Sequence, residues 1–304
     1  MKARYMTAAM ALALALLVQS AHAIEPGVPP QYPAGVTSGI PTGTILPATF
    51  YVDFYTNYYD ARVVDASGKK TGINIDVFAN VPQIHFAPDW TILGGKFQAI
   101  AQIPFVDIRV SGLVHAANSG VDNPYLSPFN LAWTLAPGTF FSIGEGIYLP
   151  EGDKAVRDNF TTYEQSFAFS YLNNGWDVTA HALFDFNEAD KTTNYKSGNI
   201  FSLDFTATKN IGGLDIGPIA YYQNQTTNDR NDGFAYGPAR PTFGRIKAVG
   251  LGALVSYRFG PLIARASITS DVYARSTTQG THYWLSLTLP LTPIRARPNS
   301  NTSD

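Results

Sequence analysis

From residue 48 onward the chain repeats one pattern, with apolar and polar side chains in alternate positions. Phe50, Val52 and Phe54 alternate with Tyr51, Asp53 and Tyr55, and Ile73, Ile75 and Val77 with Asn74 and Asp76. Phe97, Ala99, Ala101, Ile103 and Phe105 are interleaved with Lys96, Gln98 and Gln102, and Phe129, Leu131, Trp133 and Leu135 with Asn130 and Thr134. In the clearest run Trp176, Val178, Ala180, Ala182, Phe184 and Phe186 share one parity, against Asp177, Thr179, His181, Asp185 and Asn187. Segments beginning at Phe201 and Leu262 repeat the plan. Successive strand side chains point to opposite faces, so each segment has one apolar and one polar face.

A soluble sandwich alternates in the same way, and the connections discriminate better. About twelve strands are expected, an even number as in single-chain bacterial barrels. Connections after even-numbered strands are short, as at Ala136-Pro137-Gly138, Asn173-Asn174-Gly175 and Gly260-Pro261. Those after odd-numbered strands are mostly longer and polar: residues 60–72, 107–126, 151–161, 188–198, 224–245 and 274–280. Barrels of the outer membrane combine short periplasmic turns with long extracellular loops in this manner. The expected fold is therefore all-β, a transmembrane antiparallel β-barrel of about 12 strands over residues 48–291.

The ends read differently. Lys2 and Arg4 precede an uncharged apolar stretch from Met6 to Val18, followed by Ala21-His22-Ala23. That is the layout of a cleaved secretory signal over residues 1–23. Residues 24–47 carry six prolines (Pro26, Pro29, Pro30, Pro33, Pro41 and Pro47) and suit neither a helix nor a central strand. They read as a periplasmic leader or a plug at the barrel mouth, and residues 292–304 as a polar tail.

Composition narrows the choice. Hydrophobic residues make up 45% of the 304, charged ones 14% and aromatic ones 13%. Roughly 25% charge is usual for a soluble domain, so low charge suits strands with one face in lipid. There is no cysteine, which removes disulfides, thiolate zinc sites and cysteine catalysis. A net charge of -2 creates no polyanion-binding field, so nucleic acid is not an expected partner. Tyr55, Tyr58, Tyr59, Trp90, Tyr148, Tyr171, Trp176, Tyr221, Tyr222, Tyr257 and Tyr283 fall near expected strand ends, as an interfacial girdle would.

No metal, cofactor or catalytic motif is present. His181 shares a face with Thr179 and Asp177, which can be drawn as a partial triad but reads better as a lumen hydrogen-bond network. Lumen-lining residues are expected to include Asp76, Lys96, Gln98, Asp177, His181, Asp185, Asp204, Arg258, Arg265 and Asp271, with Asp53 and Glu164. Placing Arg or Lys toward mid-bilayer costs about 2–4 kcal/mol.

Several segments carry a family resemblance. They are Pro124-Tyr125-Leu126-Ser127-Pro128-Phe129, Gly146-Ile147-Tyr148-Leu149-Pro150-Glu151-Gly152-Asp153 and the run from Asn187 through Thr192, Tyr195, Ser197 and Gly198 to Asp204. Gly213-Leu214-Asp215-Ile216-Gly217 and Gln225-Thr226-Thr227-Asn228-Asp229 continue the series. In order and spacing the chain resembles, over residues 48–291, the phenol meta-pathway (MetA/SphA-type) outer-membrane transporters. It departs at Glu151, where such proteins usually carry Thr. The resemblance implies a porin-like barrel in outer-membrane lipid, taking up small hydrophobic or aromatic solutes by passive diffusion. A structural or adhesive barrel with a closed lumen, or an outer-membrane hydrolase, are the rival readings.

Overall fold

The computed structural model describes residues 30–232 and 244–293. The expected signal, the start of the leader and residues 294–304 of the tail lie outside the described residues. The described chain forms a closed antiparallel barrel of twelve strands. They are β1 (Phe50–Val64), β2 (Lys70–Phe86), β3 (Gly95–Gln102 and Phe105–Gly112), β4 (Ala116–Val121 and Tyr125–Ala136), β5 (Thr139–Tyr148) and β6 (Thr162–Asn173). The second half comprises β7 (Trp176–Asn187), β8 (Ile200–Ile211), β9 (Leu214–Gln225), β10 (Lys247–Phe259), β11 (Leu262–Arg275) and β12 (Thr277–Pro290). Each strand pairs with its sequence neighbours, and β12 returns to pair with β1 from Tyr51↔Pro290 to Val64↔Thr277. Closure leaves no edge strand with unpaired backbone groups, which is what a bilayer core demands.

The turns at one end are tight. Asn174 and Gly175, both at positive φ, join β6 to β7, and Gly212-Gly213 does the same between β8 and β9. Two-residue hairpin turns with both residues at positive φ match the right-handed twist of the flanking strands. At the other end residues 149–161 and 188–199 connect strands by longer routes, and the expected loop between β9 and β10 lies partly outside the described residues. The outward parity carries the large apolar side chains, among them Phe54, Phe169, Phe184, Phe205, Leu251 and Leu285, all exposed. The inward parity carries buried polar ones such as Asp53, Ser170, Thr179, Asp204, Thr206 and Thr269.

Two expectations are corrected. Residues 107–126 were expected as a loop, but they extend β3 and β4 as a hairpin, with Phe105↔Val121 to Val110↔Ala116 in register. Phe105-Val106-Asp107-Ile108-Arg109-Val110 alternates well enough for this. The second correction concerns β2, whose parity is reversed. Ile73 is buried, Val77, Ala79, Val81, Gln83 and His85 face the interior, and Phe78 and Ile84 are exposed outside. Here apolar residues face inward because the barrel interior beside β2 is itself apolar.

The β2–β3–β4 wall is also interrupted. Gln102↔Tyr125 is the last pair of one half and Phe105↔Val121 the first of the other, leaving residues 103–104 against 122–124. Pro82, Pro104 and Pro124 lie at this level in three adjacent strands. Each proline removes a ladder donor. Only isolated bonds cross the gap, from Asp122 N–H to the Pro104 carbonyl at 2.9 Å and from Ile103 N–H to that of Pro82 at 3.3 Å.

Residues 30–49 run through the barrel interior as successive turns, with N–H groups of Val36, Ser38, Ile40 and Thr44 bonding carbonyls three residues back. Tyr32 and Ala48 of this segment are almost fully buried. Gly39 sits at φ 80°, and a Cβ there would collide with the Leu254 side chain of β10, so the close approach requires glycine.

Candidate functional site

The interior combines polar positions on several strands that hold the leader with an apolar patch on β2 and β3. Asp204 on β8 accepts four bonds from the leader: Tyr32 hydroxyl at 2.7 Å, Gly35 N–H at 2.9 Å, Thr37 N–H at 3.1 Å and Thr37 hydroxyl at 2.8 Å. The leader's short polar turn thus wraps one buried carboxylate. His181 Nδ1 on β7 lies 3.1 Å from the Thr37 hydroxyl, Gly39 N–H bonds Thr206, and Gly43 N–H bonds Ser170. Arg265 of β11 donates Nε to the Gly39 carbonyl at 2.9 Å and Nη1 to Thr288 at 3.0 Å, while Thr288 donates to Asp53 at 2.6 Å. Gln98 and Gln223 donate to carbonyls of Thr44 and Tyr32.

Beside the leader lies a cavity of about 350 Å³. Its apolar wall consists of Val77, Ala79 and Val81 from β2 and Ile100, Pro104, Val106 and Ile108 from β3. An aromatic band borders it on β1, β9 and β12. The Tyr59 and His282 rings stack at 3.7 Å between centroids, the Trp284 ring lies 6.1 Å from His282 on its own strand, and Tyr221 meets His282 edge-on at 6.1 Å. Tyr221 and Tyr59 hydroxyls both donate to Asp271.

At the interrupted wall the cavity turns polar. Tyr125 donates to Glu164 at 2.6 Å, with the Tyr148 hydroxyl 3.5 Å from the other oxygen, and the two rings lie 4.6 Å apart. Gly146 leaves the space that the Tyr125 hydroxyl occupies. Asn123 ties the gap to the loop after β5, accepting from Asp158 N–H at 2.7 Å and donating to the Leu149 and Asp158 carbonyls. Asp122, in the gap between the halves of β4, accepts from the Asn123 N–H at 2.8 Å. Outside the barrel Phe78, Asn80, Phe105, Asp107 and Val121 form a groove, and Val106 lines both this groove and the inner cavity.

The lumen expectations divide accordingly. Asp53, Gln98, Glu164, Asp177, His181, Asp185, Asp204, Arg265 and Asp271 have inward parity. Asp76 does not: it lies on the outward face of β2, accepts from Tyr58 at 3.1 Å and stands opposite Arg109. The reversed parity of β2 is the reason. Lys96 sits at the short-turn rim, paired with Asp89 at 2.6 Å, and Arg258 is exposed at the same end. Both are too close to a strand terminus to reach the interior. The Thr179 hydroxyl donates to Asp177 at 2.6 Å and lies 3.0 Å from Ser170, while His181 faces Thr37, so the three do not form a proton relay. The apolar wall and the Tyr59–His282–Trp284 band escaped the sequence reading, and Tyr55, Tyr59, Tyr148 and Tyr221, expected in an interfacial girdle, instead face the interior because they share parity with the inward polar residues. The apolar set from Ile73 to Val81, facing Asn74, Asp76 and Asn80, is the signal that could have revealed the inverted strand.

A closed barrel with an apolar outer surface, a polar anchored leader and an apolar inner cavity defines the class of outer-membrane β-barrels. Within that class, the chain belongs to the family described as "Putative MetA-pathway of phenol degradation", whose model matches residues 60–287. The fold is similar to that of the COG4313 outer membrane channel from Pseudomonas putida F1, with TM-score 0.72, 11% identity, and 83% of this chain and 98% of that one covered. The CymD monoaromatic hydrocarbon channel superposes with TM-score 0.43 at 10% identity, over 91% of this chain and 99% of its own. No curated protein matches.

Proposed function

We propose that the protein is an outer-membrane channel that passively admits small hydrophobic or aromatic solutes. The carrying observation is the apolar cavity of about 350 Å³ enclosed between leader and β2–β3, within the size range of small-molecule sites. Its stacked aromatic border suits ring-shaped solutes. Membership of a family described by phenol degradation, and a fold shared with an outer membrane channel of Pseudomonas putida, support the same reading.

The leader acts as a plug: its bonds to β3, β6, β7, β8, β9 and β11 hold it in place and leave the apolar patch of β2 and β3 for solute. A solute enters from the long-loop end and rests against Val77, Val81 and Ile100. It leaves either toward the periplasm or sideways past Val106, next to the level where Pro82, Pro104 and Pro124 interrupt the wall. The polar network is committed to bonding the leader, as a channel with a plug requires. The test is uptake of radiolabelled toluene and phenol into vesicles carrying the refolded protein. Rates above protein-free vesicles are expected, and rates equal to them for every aromatic tested overturn the channel reading.

A further inference from the structure

The polar end of the cavity carries more than a boundary. Glu164 and Asp185 stand directly opposite on β6 and β7, both pointing inward, at 3% and 1% exposure. Like charges directly opposite on a sheet destabilise it, and a buried carboxylate without a counter-charge is costly. The hydrogen-bond partner of Asp185 is Glu164 itself, so no donor from outside the carboxyl pair offsets its charge. Asp122 adds a third carboxyl at the cavity wall, and the described lining residues include neither lysine nor arginine. Arg265 is committed to Gly39 and Thr288.

A cation would neutralise this end. Among the described residues no group of three or more His, Asp or Glu side chains is placed to hold a metal ion. What surrounds Glu164 instead is two tyrosine rings and the mouth of an apolar cavity. Carboxylate and aromatic faces together recognise organic ammonium groups, and the apolar space takes the attached body. We propose that this end is a subsite for the protonated amine of an aralkyl or alkyl amine. The ammonium group docks on Glu164 against Tyr125 and Tyr148, and Asp185 behind Glu164 keeps negative charge at the subsite. The proposal rests on the channel reading and names one substrate class for it.

Equilibrium dialysis of the full-length refolded protein in an uncharged detergent at pH 7 tests it. Radiolabelled 2-phenylethylamine and its neutral counterpart 2-phenylethanol serve as probes. The wild type is expected to bind the amine about tenfold or more tighter than the alcohol. Glu164→Gln is expected to abolish that preference while alcohol binding stays within about twofold, and Asp185→Asn to reduce it. Equal affinity of the wild type for both probes overturns the subsite and leaves the channel reading intact; binding of neither overturns both. A preference that survives Glu164→Gln, or that millimolar calcium removes, overturns the amine assignment. If Glu164→Gln gives no heat-modifiable barrel on gels, the wild-type comparison decides, with Tyr148→Leu as the second variant.

Discussion

Replacing Asp204 by alanine takes away the acceptor for four leader donors: the Tyr32 hydroxyl, the Gly35 and Thr37 amides and the Thr37 hydroxyl. A hydrogen bond to a charged group contributes about 1.5–3 kcal/mol, and a buried donor left unpaired costs about 1–3 kcal/mol. Water from the adjoining cavity can reach part of the gap, so the lower figure of about 1 kcal/mol per donor is appropriate, about 4 kcal/mol together. At about 1.4 kcal/mol per factor of ten, the undocked leader becomes roughly a thousandfold more populated. The chain contains no cysteine, so Ala34→Cys, at a position 8% exposed, introduces a unique reporter. Maleimide labelling is expected to be slow with Asp204 in place and faster by two to three orders of magnitude, about the population ratio, in the Asp204→Ala background. The same variant is expected to conduct ions in planar bilayers where the parent does not. Equal labelling rates in the two backgrounds would refute the claim that this carboxylate holds the leader.

Other outcomes follow from the same geometry. Gly39→Val combines a φ of 80° with a collision against Leu254, a strain of about 1–3 kcal/mol, and is expected to raise Ala34→Cys labelling without unfolding the barrel. Val106→Trp overfills the partition between cavity and outer groove; slower toluene uptake with unchanged binding is expected, and unchanged uptake removes the sideways route.

Much of the barrel is legible in the chain because a strand's two faces meet different solvents. Phe184 and Phe186 against Asp185 and Asn187, or Phe205 against Asp204 and Thr206, declare their orientation locally. Paired glycines and Asn-Gly announce the tight turns, which also set which strands are neighbours. Such local rules assign Asp53, Glu164, Asp177, His181, Asp185, Asp204, Arg265 and Asp271 one strand face, and these residues have inward parity in the barrel.

They fail at β2, where both faces carry apolar and polar groups and the period alone cannot say which side is lipid. Asp76 was misplaced for this reason. The hairpin of residues 105–121 was likewise hidden, since its alternation is short and broken by prolines. Lys96 and Arg258 have the right parity, but their closeness to a rim depends on where each strand stops.

Alternation of side chains, turn residues and scarce charge thus determined a twelve-stranded barrel with a polar interior, because each acts over a few neighbouring residues. Only the tertiary structure decided that the leader bonds to strands from β3 to β11, that Asp204 gathers four of its donors, and that an apolar patch of β2 and β3 is left facing a cavity. Pro82, Pro104 and Pro124 are scattered in sequence and become one weakness in the wall only when three strands align. Barrel closure sets those long-range distances, and no local period encodes them.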